Sequence, residues 1–469
     1  MSFTNNPYYK LFNKQKANQF VVANSTYKQR IKKLNILKKA IEFTYRDKLK
    51  KALIKDLKRH PSEVDLLDIY PTISEIKLAK KHLKHWMSKQ RVETPLFLIG
   101  SSSWYRYEPK GVCLIISPFN FPYLLTFGPL VSAIAAGNTV ILKPSEMTPN
   151  CSNIMQQIVE DIFEEDEVAL VQGEIETSTE LLKLPFNHIF FTGSTTVGKI
   201  VMKSAADHLT SVTLELGGKS PVIIDETANL KATAKRVAWG KLFNSGQACI
   251  APDYILIKKS IKDEFINLLK EQIKVFYGSD ISKSSSFSRI VNKKNFNRIK
   301  NLIEDAKSKG ATIVLGDSYN AEDNYIDPTI MTDLPEDAHI LHHEIFGPVL
   351  PILTYKNIDE AIQYINSKEK PLALYIYSQN KKQINHVLSN TRAGSSAINN
   401  NVLQFGNHNL PFGGSNTSGI GKSHGFFGFQ EFSNMRSVLK QNFKGPSENV
   451  FPPYNNAKQK LIDLTIKWF

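Results

Sequence analysis

At 469 residues the chain is too long for a single hydrophobic core, so two or three domains are expected. Its 42% apolar and 22% charged content is that of an ordinary soluble enzyme, and three cysteines exclude a disulfide framework and point to a reducing, cytoplasmic setting. The net charge of +15 is concentrated, with 19 Lys and Arg against 7 Asp and Glu over residues 28–91, but no aromatic interleaving or nucleic-acid motif accompanies it. A solvated face of amphipathic helices is therefore expected there, not nucleic-acid binding.

The first residues, Met1 to Pro7, lack a basic stretch leading into an apolar core, so no secretory signal is expected. Residues 26–58 and 62–90 read as two long helices, broken at Pro61 with Ser62 as an N-cap. Residues 91–109 lean to β structure, with Gly100-Ser101-Ser102 as a hairpin turn. Between Lys110 and Lys143 there is no charged residue, a length that could cross a bilayer. Pro118, Pro122 and Pro129 interrupt it, so it reads instead as a buried βαβ unit: strand 112–116, helix 127–136 and strand 139–142. Alternation continues through helix 149–163, strand 167–171, helix 177–182, strand 188–191, helix 196–205 and strand 211–214. This predicts a doubly wound parallel α/β sheet. A second alternating run starts at Lys219, with strands at 221–224, 254–257, 350–353 and 374–377 and helices at 230–244 and 262–274. Residues 278–288 and 316–324 read as solvated loops.

Three stretches carry chemistry. Phe243-Asn244-Ser245-Gly246-Gln247-Ala248-Cys249 sets a cysteine among small and polar residues, where a thiolate can be reached. Gly246 allows close backbone approach or a positive φ. Cys113, by contrast, lies in an apolar run, and Cys151 opens a helix after Pro-Asn. Phe191-Thr192-Gly193-Ser194 follows a strand and begins a helix, which suits a pyrophosphate. It is neither G-x-G-x-x-G nor a P-loop, since Ile200 stands where the latter needs Ser or Thr. Leu214-Glu215-Leu216-Gly217-Gly218 places a carboxylate at a strand end, where a general base for a cysteine nucleophile would sit.

Together with Ser117-Pro118-Phe119-Asn120-Phe121-Pro122, Leu142-Lys143-Pro144-Ser145-Glu146, Glu344-Ile345-Phe346-Gly347-Pro348 and Leu410-Pro411-Phe412-Gly413-Gly414, these motifs resemble the aldehyde dehydrogenase superfamily, in family order over residues 30–440. Ala251-Pro252-Asp253-Tyr254 and the short N-terminus resemble its class 3 branch, which takes fatty or aromatic aldehydes. The resemblance implies α/β architecture: a Rossmann-like cofactor-binding domain (1–91, 110–217, 419–431), a second α/β catalytic domain (218–418) and a small β bridging element (92–109, 432–442). A C-terminal tail (443–469) follows. It implies Cys249 as nucleophile, Asn120 as oxyanion donor and Glu215 as the base that hydrolyses the thioester. NAD or NADP would be held by Lys143, Glu146, Gly193, Ser194, Gly217, Glu344 and Phe346, with no metal. A reductase that forms and passes on a thioester is the alternative, and Glu215 argues against it. Phe119, Ala248 and Thr196 depart from residues common in the family and leave substrate size and cofactor preference open. The resemblance further implies a homodimer, with residues 432–441 completing the partner subunit's sheet. The tail, with Leu461, Ile462, Leu464, Ile466, Trp468 and Phe469, would form a short helix near the substrate tunnel or dimer interface. Weak membrane attachment is the alternative, since the run is too short to span.

Overall fold

The computed structural model describes residues 5–468; the start of the segment read for a signal and the last apolar residue of the tail, Phe469, lie outside the described residues. Apolar runs build the first sheet. Val112–Ile116, Thr139–Lys143 and His188–Thr192 are buried along their whole lengths, as strands covered on both faces must be. They pair in parallel with one another and with Val168–Leu170 and Ser211–Glu215. The sixth strand, Gly419–Ile420, returns from far along the chain and pairs antiparallel with Ser211–Glu215. The order is 419–420, 211–215, 188–192, 112–116, 139–143, 168–170, so strand order reverses between 112–116 and 188–192. Open α/β sheets bind ligands at the carboxyl ends of strands flanking such a switch point.

The second sheet has seven strands, ordered 312–315, 329–332, 349–355, 254–258, 221–224, 373–377, 395–398. All neighbours are parallel except the first pair. Only five residues separate Glu215 from Pro221, so the carboxyl edge of one sheet meets the amino edge of the other. A third sheet joins Gln90–Val92, Ser101–Pro109 and Ser433–Gln441, all antiparallel.

Several expectations need correction. An N-terminal helix, Tyr9–Ala23, was not anticipated. The expected helix 26–58 is interrupted by a π-turn at Ala40–Thr44, and 62–90 is likewise broken at Asp65–Ile69 before Tyr70–Trp86. Helix 127–136 begins earlier, as Pro122–Ala136, with Pro122 in the first turn where no N–H is needed. Its free N–H groups at Tyr123 and Leu124 are capped by Asp68 Oδ1, each at 3.2 Å, a partner more than fifty residues away in sequence. The hairpin turn is not Gly100-Ser101-Ser102: both serines are in the strand, and residues 93–100 form the connection. The loop 316–324 contains a two-residue strand, Tyr319–Asn320. The basic region is not only a solvated face, because Arg30, Arg59, Asp68 and Glu75 within it are at most 5% exposed.

The tail forms the helix Asn456–Trp468 with no buried residue. Among the described residues no helix is long and apolar enough to cross a membrane.

Candidate active site

Five loops converge at the seam between the two large sheets. Ser117–Asn120 leaves the strand Val112–Ile116, Gly193–Ser194 leaves His188–Thr192, and Glu215 ends its own strand. From the opposite side, Cys249 precedes Tyr254–Lys258 and Glu344–Gly347 precedes Val349–Tyr355.

Cys249 follows a turn in which Asn244, Ser245 and Gly246 are all left-handed, at φ of 48°, 52° and 73°. The glycine is required: a Cβ there would lie 2.3 Å from the Gly347 carbonyl oxygen. The two non-glycine residues are held by buried hydrogen bonds. Asn244 Nδ2 donates to the carbonyls of Asn120 (3.0 Å) and Gln247 (3.1 Å), and Ser245 Oγ donates to Ser288 O (2.6 Å). Asn120 Nδ2 donates one hydrogen to Gln247 O at 3.1 Å, which places its amide beside the nucleophile turn.

Cys249 is partly exposed, whereas Cys113 and Cys151 are fully buried. Thiol pKa does not separate them, since burial raises all three, Cys113 to about 12. Around Cys249 the carboxylates of Glu215 and Glu344 add to the effect of burial. Glu215 is 5% exposed; burial raises its pKa, and a hydrogen bond from Ser423 Oγ and the nearby Lys422 ammonium offset part of the rise. Burial, with Asp253 nearby, pushes Glu344 up to about 8. The Glu344 carboxyl lies over Gly217, where a Cβ would come within 2.1 Å of Oε2, so only glycine admits it. Phe346 meets Phe119 edge-on at 5.8 Å between ring centres.

Lys143 is buried, with Nζ donating to Pro144 O at 2.8 Å and lying 3.4 Å from Glu146 Oε2. Burial lowers its pKa and Glu146 counteracts this. Ser194 caps the helix Thr195–Ala206, whose first turn holds no acidic residue, leaving a positive helix end toward the crevice. Gly193 packs against the Phe191 ring, which a Cβ would meet at 2.5 Å.

The aldehyde dehydrogenase family profile matches residues 5–438. The chain belongs to the aldehyde dehydrogenase family. It is 45% identical to putative aldehyde dehydrogenase AldX of Bacillus subtilis (strain 168), over 92% of this chain and 97% of that one. It is 40% identical to aldehyde dehydrogenase family 3 member A2 of Mus musculus, over 92% of this chain and 88% of that one. Among solved structures, substrate-bound Staphylococcus aureus AldH superposes with a TM-score of 0.94 at 40% identity, covering 97% of this chain and 99% of that one. The α/β fold is thus the aldehyde dehydrogenase fold, and the enzyme oxidises aldehydes.

Residues that sequence reasoning missed hold the dehydrogenase site in shape. Arg59 is fully buried, bonds Asp68 Oδ2 at 2.5 Å and Asn244 Oδ1 at 3.2 Å, and also donates to the Asn120 carbonyl. Its guanidinium sits 4.8 Å over the Phe121 ring. Burial pushes Asp68 up to about 6 despite Arg59, so the pair is costly to bury and costlier to break, by about 3–5 kcal/mol. Across the seam, Lys219 Nζ binds Asp253 and the carbonyls of Ile340 (2.8 Å) and His343 (2.9 Å). Arg298 donates to the Glu344 and Ile345 carbonyls at 3.1 and 2.7 Å. Both cations fix the loop that carries Glu344. Their only signal in the sequence is charge, which also describes solvated residues.

Proposed function

We propose that this aldehyde dehydrogenase converts aldehydes to carboxylic acids through a covalent thioester on Cys249. The observation that carries the reading is the grouping of the accessible Cys249, the Asn120 amide and the Glu215 carboxylate at one seam. Cys249 Sγ attacks the aldehyde carbon to give a thiohemiacetal. Its oxyanion is stabilised by the second hydrogen of Asn120 Nδ2 and the Cys249 N–H, donors already fixed before charge develops. The raised thiol pKa means that the thiol must lose its proton as the S–C bond forms; Cys249 is partly exposed, so water takes that proton and Glu215 stays unprotonated for the second step. NAD or NADP, when bound, supplies the hydride acceptor. Glu215 then deprotonates the water that hydrolyses the thioester, with Ser423 orienting its carboxylate.

The residues fit such a cofactor. Lys143 and Glu146 would hold the adenine ribose, and Gly193 and Ser194 the pyrophosphate at the positive helix end. Gly217, Glu344 and Phe346 would position the nicotinamide ribose and ring. Solved relatives support the assignment, including the NAD⁺ complex of the Bacillus cereus enzyme, 28% identical with a TM-score of 0.84. We read the substrates as medium- to long-chain aliphatic or aromatic aldehydes. The resemblance to the class 3 branch supports this, as does a Staphylococcus aureus 4,4'-diaponeurosporen-aldehyde dehydrogenase that is 42% identical over 94% of each chain. The enzyme acts as a homodimer in this reading, with the open edge of Ser433–Gln441 completing the sheet of a second copy.

Glu215→Gln tests the mechanism. Rapid mixing should show a burst of reduced cofactor close to one per active site, followed by turnover slowed by at least about 100-fold. Steady-state turnover near wild type would refute Glu215 as the hydrolytic base. A slow burst restored by raising pH would place its main role in activating Cys249.

A further inference from the structure

A buried Glu–His–His cluster lies beside Glu215, outside the chemistry proposed above. Glu75, on the helix Tyr70–Trp86, brings Oε2 to 2.6 Å from His408 Nδ1 and 3.6 Å from His424 Nδ1. The two Nδ1 atoms are 3.1 Å apart. All three side chains are at most 9% exposed.

Three lone pairs therefore converge on one point in an apolar surround. Protons satisfy this arrangement poorly. An Nδ1–H on His408 can serve the carboxylate, but His424 Nδ1 is then too far from Oε2 for a hydrogen bond and faces the same proton. His424 Nε2 is buried without a hydrogen-bond partner. His424 is also held at φ 73°, a left-handed conformation that a histidine adopts only when its surroundings impose it.

A cation answers all three groups at once. Bonds of about 2.0–2.2 Å to nitrogen and carboxylate oxygen set ligand atoms roughly 3 Å apart. The second Glu75 oxygen accepts the Gly425 N–H at 2.6 Å, which orients the carboxylate as outer partners of metal ligands do. A cavity of about 20 Å³ adjoins the cluster and is lined also by Ser132, Glu215 and Ser423. It has room for one water, the fourth ligand that three protein ligands leave open.

We propose that Glu75, His408 and His424 bind a divalent cation of the zinc class, and that its occupancy slows hydrolysis at Glu215. A dication beside that cavity favours the ionised carboxylate and weakens its pull on a water proton. Ser423, which donates to Glu215, is the chain neighbour of His424, so fixing His424 also fixes that hydrogen bond. The kinetic effect rests on Glu215 as the hydrolytic base; the binding site does not.

Co²⁺ titrated into the full-length protein tests the site, with Cys249→Ser in parallel because thiolates bind the same ions. The expected result is one Co²⁺ per chain in both proteins, with the visible bands of four-coordinate cobalt, displaced by Zn²⁺. His408→Asn should weaken binding by at least about 100-fold, and so should Glu75→Gln, each with folding verified by thermal melting. Absence of stoichiometric binding in Cys249→Ser, or unchanged binding in a folded His408→Asn and a folded Glu75→Gln, would overturn the site. Zn²⁺ should slow steady-state oxidation in wild type with the burst of reduced cofactor unchanged, and His408→Asn should escape the inhibition. Zn²⁺ bound with turnover unchanged would overturn the inhibitory effect. A failed Glu215→Gln burst with Co²⁺ binding intact would fault the mechanism and not the site.

Discussion

At the residue scale the site is a problem of two carboxylates pressing on one thiol. Burial and the charges of Glu215 and Glu344 all oppose the thiolate of Cys249. Glu344, however, titrates at about 8, so below that pH it is mostly protonated and repels nothing. As pH rises through 8 it ionises and begins to hold the thiol back. Glu344→Gln removes only this later effect. Alkylation of Cys249 by iodoacetamide should therefore match wild type below pH 8 and exceed it above, by about three- to tenfold, or up to one pKa unit. Cys113 and Cys151 are fully buried and should stay unreactive, with Cys249→Ala as the blank. Equal rates across the whole pH range would place Glu344 too far from the thiol to matter.

At the element scale the nucleophile turn shows what the sequence discloses and what it hides. Gly246 is legible, because a glycine three residues before a reactive cysteine announces a positive φ or a close approach, and both are found. The left-handed Asn244 and Ser245 are not, since each costs about 1–3 kcal/mol alone and is stable only because distant groups impose it. Those groups, Arg59, Asn120 and Ser288, lie 43 to 185 positions away. The helix Pro122–Ala136 starts five residues earlier than its prolines suggest for the same reason: its cap is Asp68. The strand positions were legible because buried parallel strands leave uniform apolar runs, whereas pairing partners across 300 residues leave no local mark. Gly246→Ala should therefore leave the melting temperature within a few degrees while lowering kcat by about 100-fold, the cost of misplacing a nucleophile by about 1 Å. Full activity with the added methyl would mean that the turn can relax without moving Cys249.

At the scale of the whole molecule the apolar surface is unevenly finished. The two large sheets are well covered, yet the bridging sheet and tail expose Met435 (60%), Leu439 (54%), Phe443 (64%), Leu464 (55%), Ile466 (76%) and Trp468 (69%). Single exposed apolar residues are ordinary, but several gathered on adjoining segments mark an interface. The tail is carried by the same element, because the short helix Pro446–Val450 packs on Leu96–Leu98 in the connection between Gln90–Val92 and Ser101–Pro109. Ser433–Gln441 has a neighbour on one side only, as does Ser395–Ile398 at the end of the seven-stranded sheet. Two copies related by a twofold axis could join these edges and cover the tail with the same contact. Full-length protein should then sediment as a dimer. Deleting residues 446–469 should raise the dimer dissociation constant by at least about tenfold, or 1.4 kcal/mol, while kcat measured on the remaining dimer stays at the wild-type value. A tail that instead caps the substrate path would change KM for long aldehydes and leave the mass untouched. A tail that binds membrane would leave both untouched and remove co-sedimentation with anionic lipid vesicles. Met435 and Leu439 lie on the strand with the unpaired edge, and the tail is attached beside it through Pro446–Val450, which favours the change in mass.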